Sequence, residues 1–178
     1  MKNIMKNKKG FTLVELLAVI VILALIMGIA VVAMSGVIDS SEKNSARRTA
    51  ANIIDGVRTK LMLEGELKSG TYYFTNAILE KGGVSSPFGG NYKYVTSTAT
   101  GMTQVGTTGV YKVTGTAPTC SANAISFIAI DVDDNATDGV LEPTTYTICL
   151  TSGTGNRYIS GTENDILADS EDVIKPAS

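Results

Sequence analysis

Apolar residues fall along this chain in three successive regimes. From Phe11 to Met34 the run reads FTLVELLAVIVILALIMGIAVVAM, with Glu15 as its one charged residue. At ~1.5 Å rise per residue, some two dozen helical residues reach ~36 Å, enough to cross a hydrocarbon core of ~30 Å. Beyond it the pattern becomes amphipathic. Ala46, Ala50, Ile53, Ile54, Val57 and Leu61 recur at steps of three and four, which places them on one helix face. Arg47, Arg48, Asp55, Arg58 and Glu64 fall largely on other faces. The first proline is Pro87, so nothing breaks the helix early. The pattern predicts one helix from about Thr12 to about Leu63, ended by Gly65 as a C-cap. Gly28 and Ser35-Gly36 are points where it could bend or melt.

The third regime is shorter in period. Tyr92 to Val95 and Val110 to Val113 alternate as strands do, with a glycine- and threonine-rich loop between them. Ala124 to Val132 is apolar nearly throughout and reads as a central strand, with Tyr146 to Leu150 as its hairpin partner and Arg157 to Ile159 as a last edge strand. Thr71 to Phe74 reads as a short extended piece and Asn76 to Lys81 as a helical turn within a connector. The tail from Asn164 to Ser178 is acidic and reads as partly mobile. The strands need an apolar cover, and the face from Ala46 to Leu61 is the long one available. The fold class is therefore α+β: a long helix, apolar all round and then amphipathic, packed against a small antiparallel β-sheet head.

Composition narrows the setting. The 178 residues carry a net charge of -2 and no histidine. Basic residues gather at Lys43, Arg47, Arg48, Arg58, Lys60 and Lys68, whereas acids dominate from Asp131 onward, which argues against nucleic-acid binding there. Arg47-Arg48 reads as part of a solvated helix face, with contact to nucleic acid or lipid headgroups as the alternative. Without histidine, and with no glycine-rich phosphate loop after a strand, no catalytic set emerges and an enzyme is not expected.

Ahead of the apolar run stand Lys2, Lys6, Lys8, Lys9 and then Gly10. The lysines keep the N-terminus cytoplasmic and send the remainder outside. A signal peptide or a plain anchor is the rival reading, and Val31-Val32-Ala33 satisfies a small-residue cleavage rule. Signal-peptide cores, however, run only ~7–15 residues and need no glutamate near their start. The stretch Gly10-Phe11-Thr12-Leu13-Val14-Glu15 resembles the processing site of type IV pilins and pseudopilins over roughly residues 6 to 40. The resemblance implies that a prepilin peptidase cuts between Gly10 and Phe11 and that the new Phe11 amine is methylated. Glycine suits such a bond because it has no Cβ to crowd a protease cleft. Many relatives kink this helix at a proline that is missing here.

An ionised Glu15 costs at least ~2.5 kcal/mol in the membrane on insertion scales. It either snorkels to the interface or pairs with the cationic amine of Phe11. The resemblance implies pairing with the amine of a neighbouring subunit during filament assembly.

Cys120 and Cys149 both lie in the exported part, and an even count in an oxidising compartment favours a disulfide over two buried thiols. A hairpin turning near Asp138 places Cys149 opposite Ile128, so Cys120 would have to arrive from a loop or a neighbouring strand. The segment Asp131 to Glu142 nearly fits a calcium loop, with Asp131, Asp133, Asn135 and Glu142 at positions one, three, five and twelve. Ala136 stands where the sharp turn wants glycine, and a strand precedes the loop instead of a helix. A solvated acidic loop is the favoured reading, no cofactor is required, and calcium stays open as the alternative.

The expected organisation is a leader at 1–10, a transmembrane or filament-core helix at 11–38, its amphipathic continuation at 39–64, a connector at 65–90 and a β head with acidic tail at 91–178. Such a subunit would be stored in the cell membrane with its head outside the cytoplasm and polymerised into an extracellular filament. Its partners would be copies of itself or other pilins, the peptidase, the inner assembly platform and, before assembly, the lipid. Nucleic acid would be met only indirectly. A pseudopilin of a secretion or DNA-uptake apparatus, or a tethered binding module that never polymerises, are the alternatives.

Overall fold

The computed structural model describes residues 11–65, 68–75, 84–95, 101–106, 109–116, 118–132, 143–155 and 157–176. The chain divides into two compact units, Met1–Ser41 and Glu42–Ser178. Helix α1 runs from Leu13 to Glu64, 52 residues, through Gly28 and Gly36 without a break in helical assignment. Gly65 ends it with φ 71°, a left-handed conformation that suits glycine, and donates its N–H to the Met62 carbonyl.

In the first unit, the described side chains from Phe11 to Ile38 are exposed to solvent. The second unit holds a seven-stranded antiparallel sheet. Its strands are β1 (Gly70–Phe74), β2 (Met102–Val105), β3 (Val110–Val113), β4 (Phe127–Val132), β5 (Pro143–Leu150), β6 (Arg157–Thr162) and β7 (Ile174–Pro176), in the spatial order β2-β3-β1-β4-β5-β6-β7. A short helix α2 (Glu163–Leu167) and a 3-10 turn (Glu171–Val173) join β6 to β7.

Two-residue alternation assigns the sheet faces. Tyr72, Phe74, Ile128, Ile130, Ile148 and Leu150 join Ala46, Ala50, Ile53, Ile54, Val57 and Leu61 of α1 in one core. Each large side chain buried there contributes on the order of 1.5–3 kcal/mol. Tyr73, Phe127 and Cys149 point the other way, into a second cluster with Val95 and half-buried Cys120. The head therefore covers both faces of its sheet, the second under the loop that leads into β4.

Four strand expectations need correction. Tyr92 to Val95 is not a strand: only Asn91 makes a bridge, to Ser85, while Tyr92 and Val95 are buried as loop residues. Met102–Val105, expected to be loop, is a strand on β3. The extended piece at Thr71 to Phe74 is not part of a connector; it is β1, hydrogen-bonded to both β3 and β4. Arg157 to Ile159 belongs to β6, which is not an edge, because β7 pairs outside it. The described tail is accordingly ordered, with Ile166 and Val173 in the main core. Gly161 makes this possible: a Cβ there would come 2.6 Å from Val173 Cγ1. The helical turn expected at 76–81 lies outside the described residues.

Candidate functional site

The first turn of α1 is built around Thr12 and Glu15. The Thr12 N–H and the Thr12 hydroxyl both donate to Glu15 Oε2, at 2.9 and 3.0 Å. The Glu15 N–H donates back to Thr12 Oγ1 at 3.3 Å. This reciprocal arrangement is a capping box, which satisfies N–H groups that the start of a helix leaves without intrahelical partners. A carboxylate in the first turn also faces the positive end of the helix dipole. Phe11, 88% exposed, precedes the box, and exposed apolar side chains surround it. Oε2 takes both Thr12 bonds, while Oε1 has no partner among the described residues and can accept from a cation.

The expected pairing set only Phe11 against Glu15. It left out Thr12, although the Thr-x-x-Glu spacing is itself the signature of a capping box. Gly10 lies outside the described residues.

Residues 5–31 match the family model of the prokaryotic N-terminal methylation motif. That match spans 27 of the 178 residues, and over it the chain is similar to the N-terminus of type IV pilin-like prepilins. The motif opens into a helix long and apolar enough to cross a membrane. Comparison with curated proteins and with solved structures gave no match.

In the head, Cys120 and Cys149 form a disulfide, with Cα atoms 5.7 Å apart. Cys149 lies on β5 opposite Phe127, not Ile128, one residue from the pairing expected for a turn near Asp138. Cys120 comes in from the loop before β4, on the face that carries Phe127. The bridge ties that loop over the second cluster. Of the acidic segment, Asp131 is exposed on β4 at the register shift; Asp133, Asn135 and Glu142 lie outside the described residues.

Of the Arg47-Arg48 pair predicted to lie on a solvated face, Arg48 is exposed and Arg47 is not. Arg47 is only 7% exposed, because the turn after α2 packs over that flank of α1. Its Nη1 donates to Asn44 Oδ1 at 3.2 Å and its Nη2 to the Ser170 carbonyl at 3.2 Å. Arg58 is held by Asp55 and Glu163 and lies 4.5 Å over the Tyr146 ring centroid. Burial alone would lower the Arg58 pKa; the hydrogen bond it donates to Glu163 is the main influence that reverses this, and the net direction is upward. Neither burial could be read from helical spacing, since the tail that covers these side chains is more than a hundred residues away in sequence.

Proposed function

We propose that the chain is the precursor of a structural filament subunit. It is cut between Gly10 and Phe11, methylated on the Phe11 amine, stored in the membrane through the apolar part of α1 and polymerised with copies of itself or other pilins into a surface filament. Glu15 receives the Phe11 amine of a neighbour as the apolar helices come together, and the subunit works without a cofactor. Calcium in the segment from Asp131 to Glu142 belongs to the alternative of a tethered module.

One observation supports this reading above the rest. The methylation motif leads into an apolar helical stretch whose most apolar window is 0% buried among the described residues. Lipid can cover that surface in the monomer and like helices can cover it in a filament.

Mass spectrometry of the mature N-terminus tests the reading. Expected is a peptide that begins at N-methylated Phe11, and Gly10→Val should block cleavage because a branched side chain crowds the scissile bond. A mature protein beginning at Met34 would mean signal peptidase and would overturn the proposal. Imaging of cells labelled through the head separates the finer roles: long fibres mean a pilus, short stubs a pseudopilus, and uniform membrane label a tether.

A further inference from the structure

Where the turn after α2 crosses α1 there is a cavity of about 290 Å³. Arg47 and Arg48 line it on one side, and Ile166 and the 66% exposed Leu167 form an apolar wall. Arg47 is anchored by Asn44 and the Ser170 carbonyl, so its guanidinium is fixed. Its Nε is buried, without a hydrogen-bond partner among the described residues and out of reach of an incoming group. Asp169 lines the slot as well: its Oδ1 stands 3.7 Å from Nη1, beyond hydrogen-bond range, and its side chain is 77% exposed. Arg48 is exposed and has no partner among the described residues. A guanidinium held in place, a second cation beside it and an apolar wall together suit a carboxylate on a short aliphatic stem that displaces the exposed Asp169.

We propose that this slot binds an acidic side chain of a second copy of the chain. Charge distribution selects that occupant. From Asp131 onward the chain carries Asp131, Asp133, Asp134, Asp138, Glu142, Glu163, Asp165, Asp169, Glu171 and Asp172 against Arg157 and Lys175 alone. One copy's acidic segment is thus the complement of another copy's Arg47-Arg48. A lipid headgroup is the poorer fit, because Asp39, Glu42 and Lys43, which stand between the apolar run and the arginines, sum to a net charge of -1 and add no attraction for anionic lipid. The inference depends on the filament reading only in requiring that a second copy come close. There the pair would set which subunit face meets which, since charge complementarity fixes register more than it adds affinity.

The test uses the full-length chain in cells, with photoreactive benzoylphenylalanine in place of Leu167 so that both arginines remain. Irradiation should join two copies, with the joined peptide within the segment from Asp131 onward. Arg48→Glu in the same chain should cut that yield on the order of tenfold or more through like-charge repulsion, whereas Arg48→Lys should keep most of it. Retention of the Cys120–Cys149 disulfide checks that Arg48→Glu still folds. Adducts only with lipid or another protein, or a yield untouched by Arg48→Glu, overturn the inference. If filaments form without the copy-to-copy adduct, this inference fails and the filament reading stands. If the adduct forms without filaments, the inference stands and the filament reading fails.

Discussion

Arg58 of α1 and Glu163 at the start of α2 meet as a fork, Nη2 lying 2.7 Å from both carboxylate oxygens across 105 residues of sequence. Asp55 Oδ1 accepts from Nη1 at 2.7 Å, and the aromatic face of Tyr146 closes the remaining side. The pair is about three-quarters buried, Arg58 at 28% and Glu163 at 25% exposure. It ties the amphipathic face of the long helix to the segment that follows β6.

Breaking that pair should loosen the head. Arg58→Ala or Glu163→Gln should destabilise it by about 1–3 kcal/mol, between the value of an exposed ion pair and that of a charged hydrogen bond left without its partner. Urea denaturation of a fragment that begins near Asp39 measures this, and a double-mutant cycle isolates the coupling. Additive losses would mean that the contact contributes nothing of its own.

The same fragment should be soluble and monomeric, because it lacks the exposed apolar stretch from Phe11 to Ile38. Reducing the disulfide, whose cysteines are 29 residues apart, should cost about 3–4 kcal/mol in the chain-entropy model. Proteolysis after reduction should open first at the loop before β4, which the bridge holds down. Identical melting of the oxidised and reduced forms would remove the disulfide from the head's stability.

Alkali should reveal a buried phenol. Burial pushes the Tyr92 hydroxyl up to about 12, with the neighbouring Ser86 side chain acting weakly in the opposite direction. The unfolded value is ~10, so the folded state holds this proton more tightly. The group's stabilising contribution is therefore complete below ~pH 10 and is lost as pH rises toward about 12. Tyr92→Phe should change the melting temperature at pH 7 little, since the hydroxyl makes at most a weak contact with Ser86, and should extend stability in alkali. A melting temperature that falls in alkali as steeply for Tyr92→Phe as for the unaltered chain would remove this phenol from the account.

The Glu15 variants separate capping from assembly. Glu15→Ala should leave insertion and processing largely intact, and insertion should become easier without an unfavourable charge. Assembly should fail or slow sharply, because a cationic terminus entering an apolar core without a partner costs roughly 3–5 kcal/mol. Glu15→Gln keeps a side-chain oxygen for the capping box but drops the charge, and it should fail as well; Glu15→Asp should be partly active. Thr12→Val breaks the box while leaving the carboxylate, so it should lower filament yield less than Glu15→Gln. The measured quantity is the ratio of sheared filaments to processed membrane monomer. Normal yield from Glu15→Ala and Glu15→Gln would sink the charge-pairing mechanism.

How far the sequence reached depended on the range of the interactions. The face from Ala46 to Leu61, the glycine end of α1 and the β4–β5 hairpin were legible because each is a periodicity or turn signal within a few residues of itself. So was the processing motif, whose residues stand side by side. The insertion of β1 between β3 and β4 was not legible, because strand order is settled by which partners satisfy distant backbone groups. Nor was the pairing of Cys149 with Phe127, since a one-residue difference in where the chain turns leaves no mark in the strand pattern itself. The acidic tail read as mobile because four carboxylates crowd it, Asp165, Asp169, Glu171 and Asp172, yet two of its apolar residues, Ile166 and Val173, reach the core. Burial of Arg47 and the clamp on Arg58 follow from where that tail comes to rest, and folding alone brings such distant segments together.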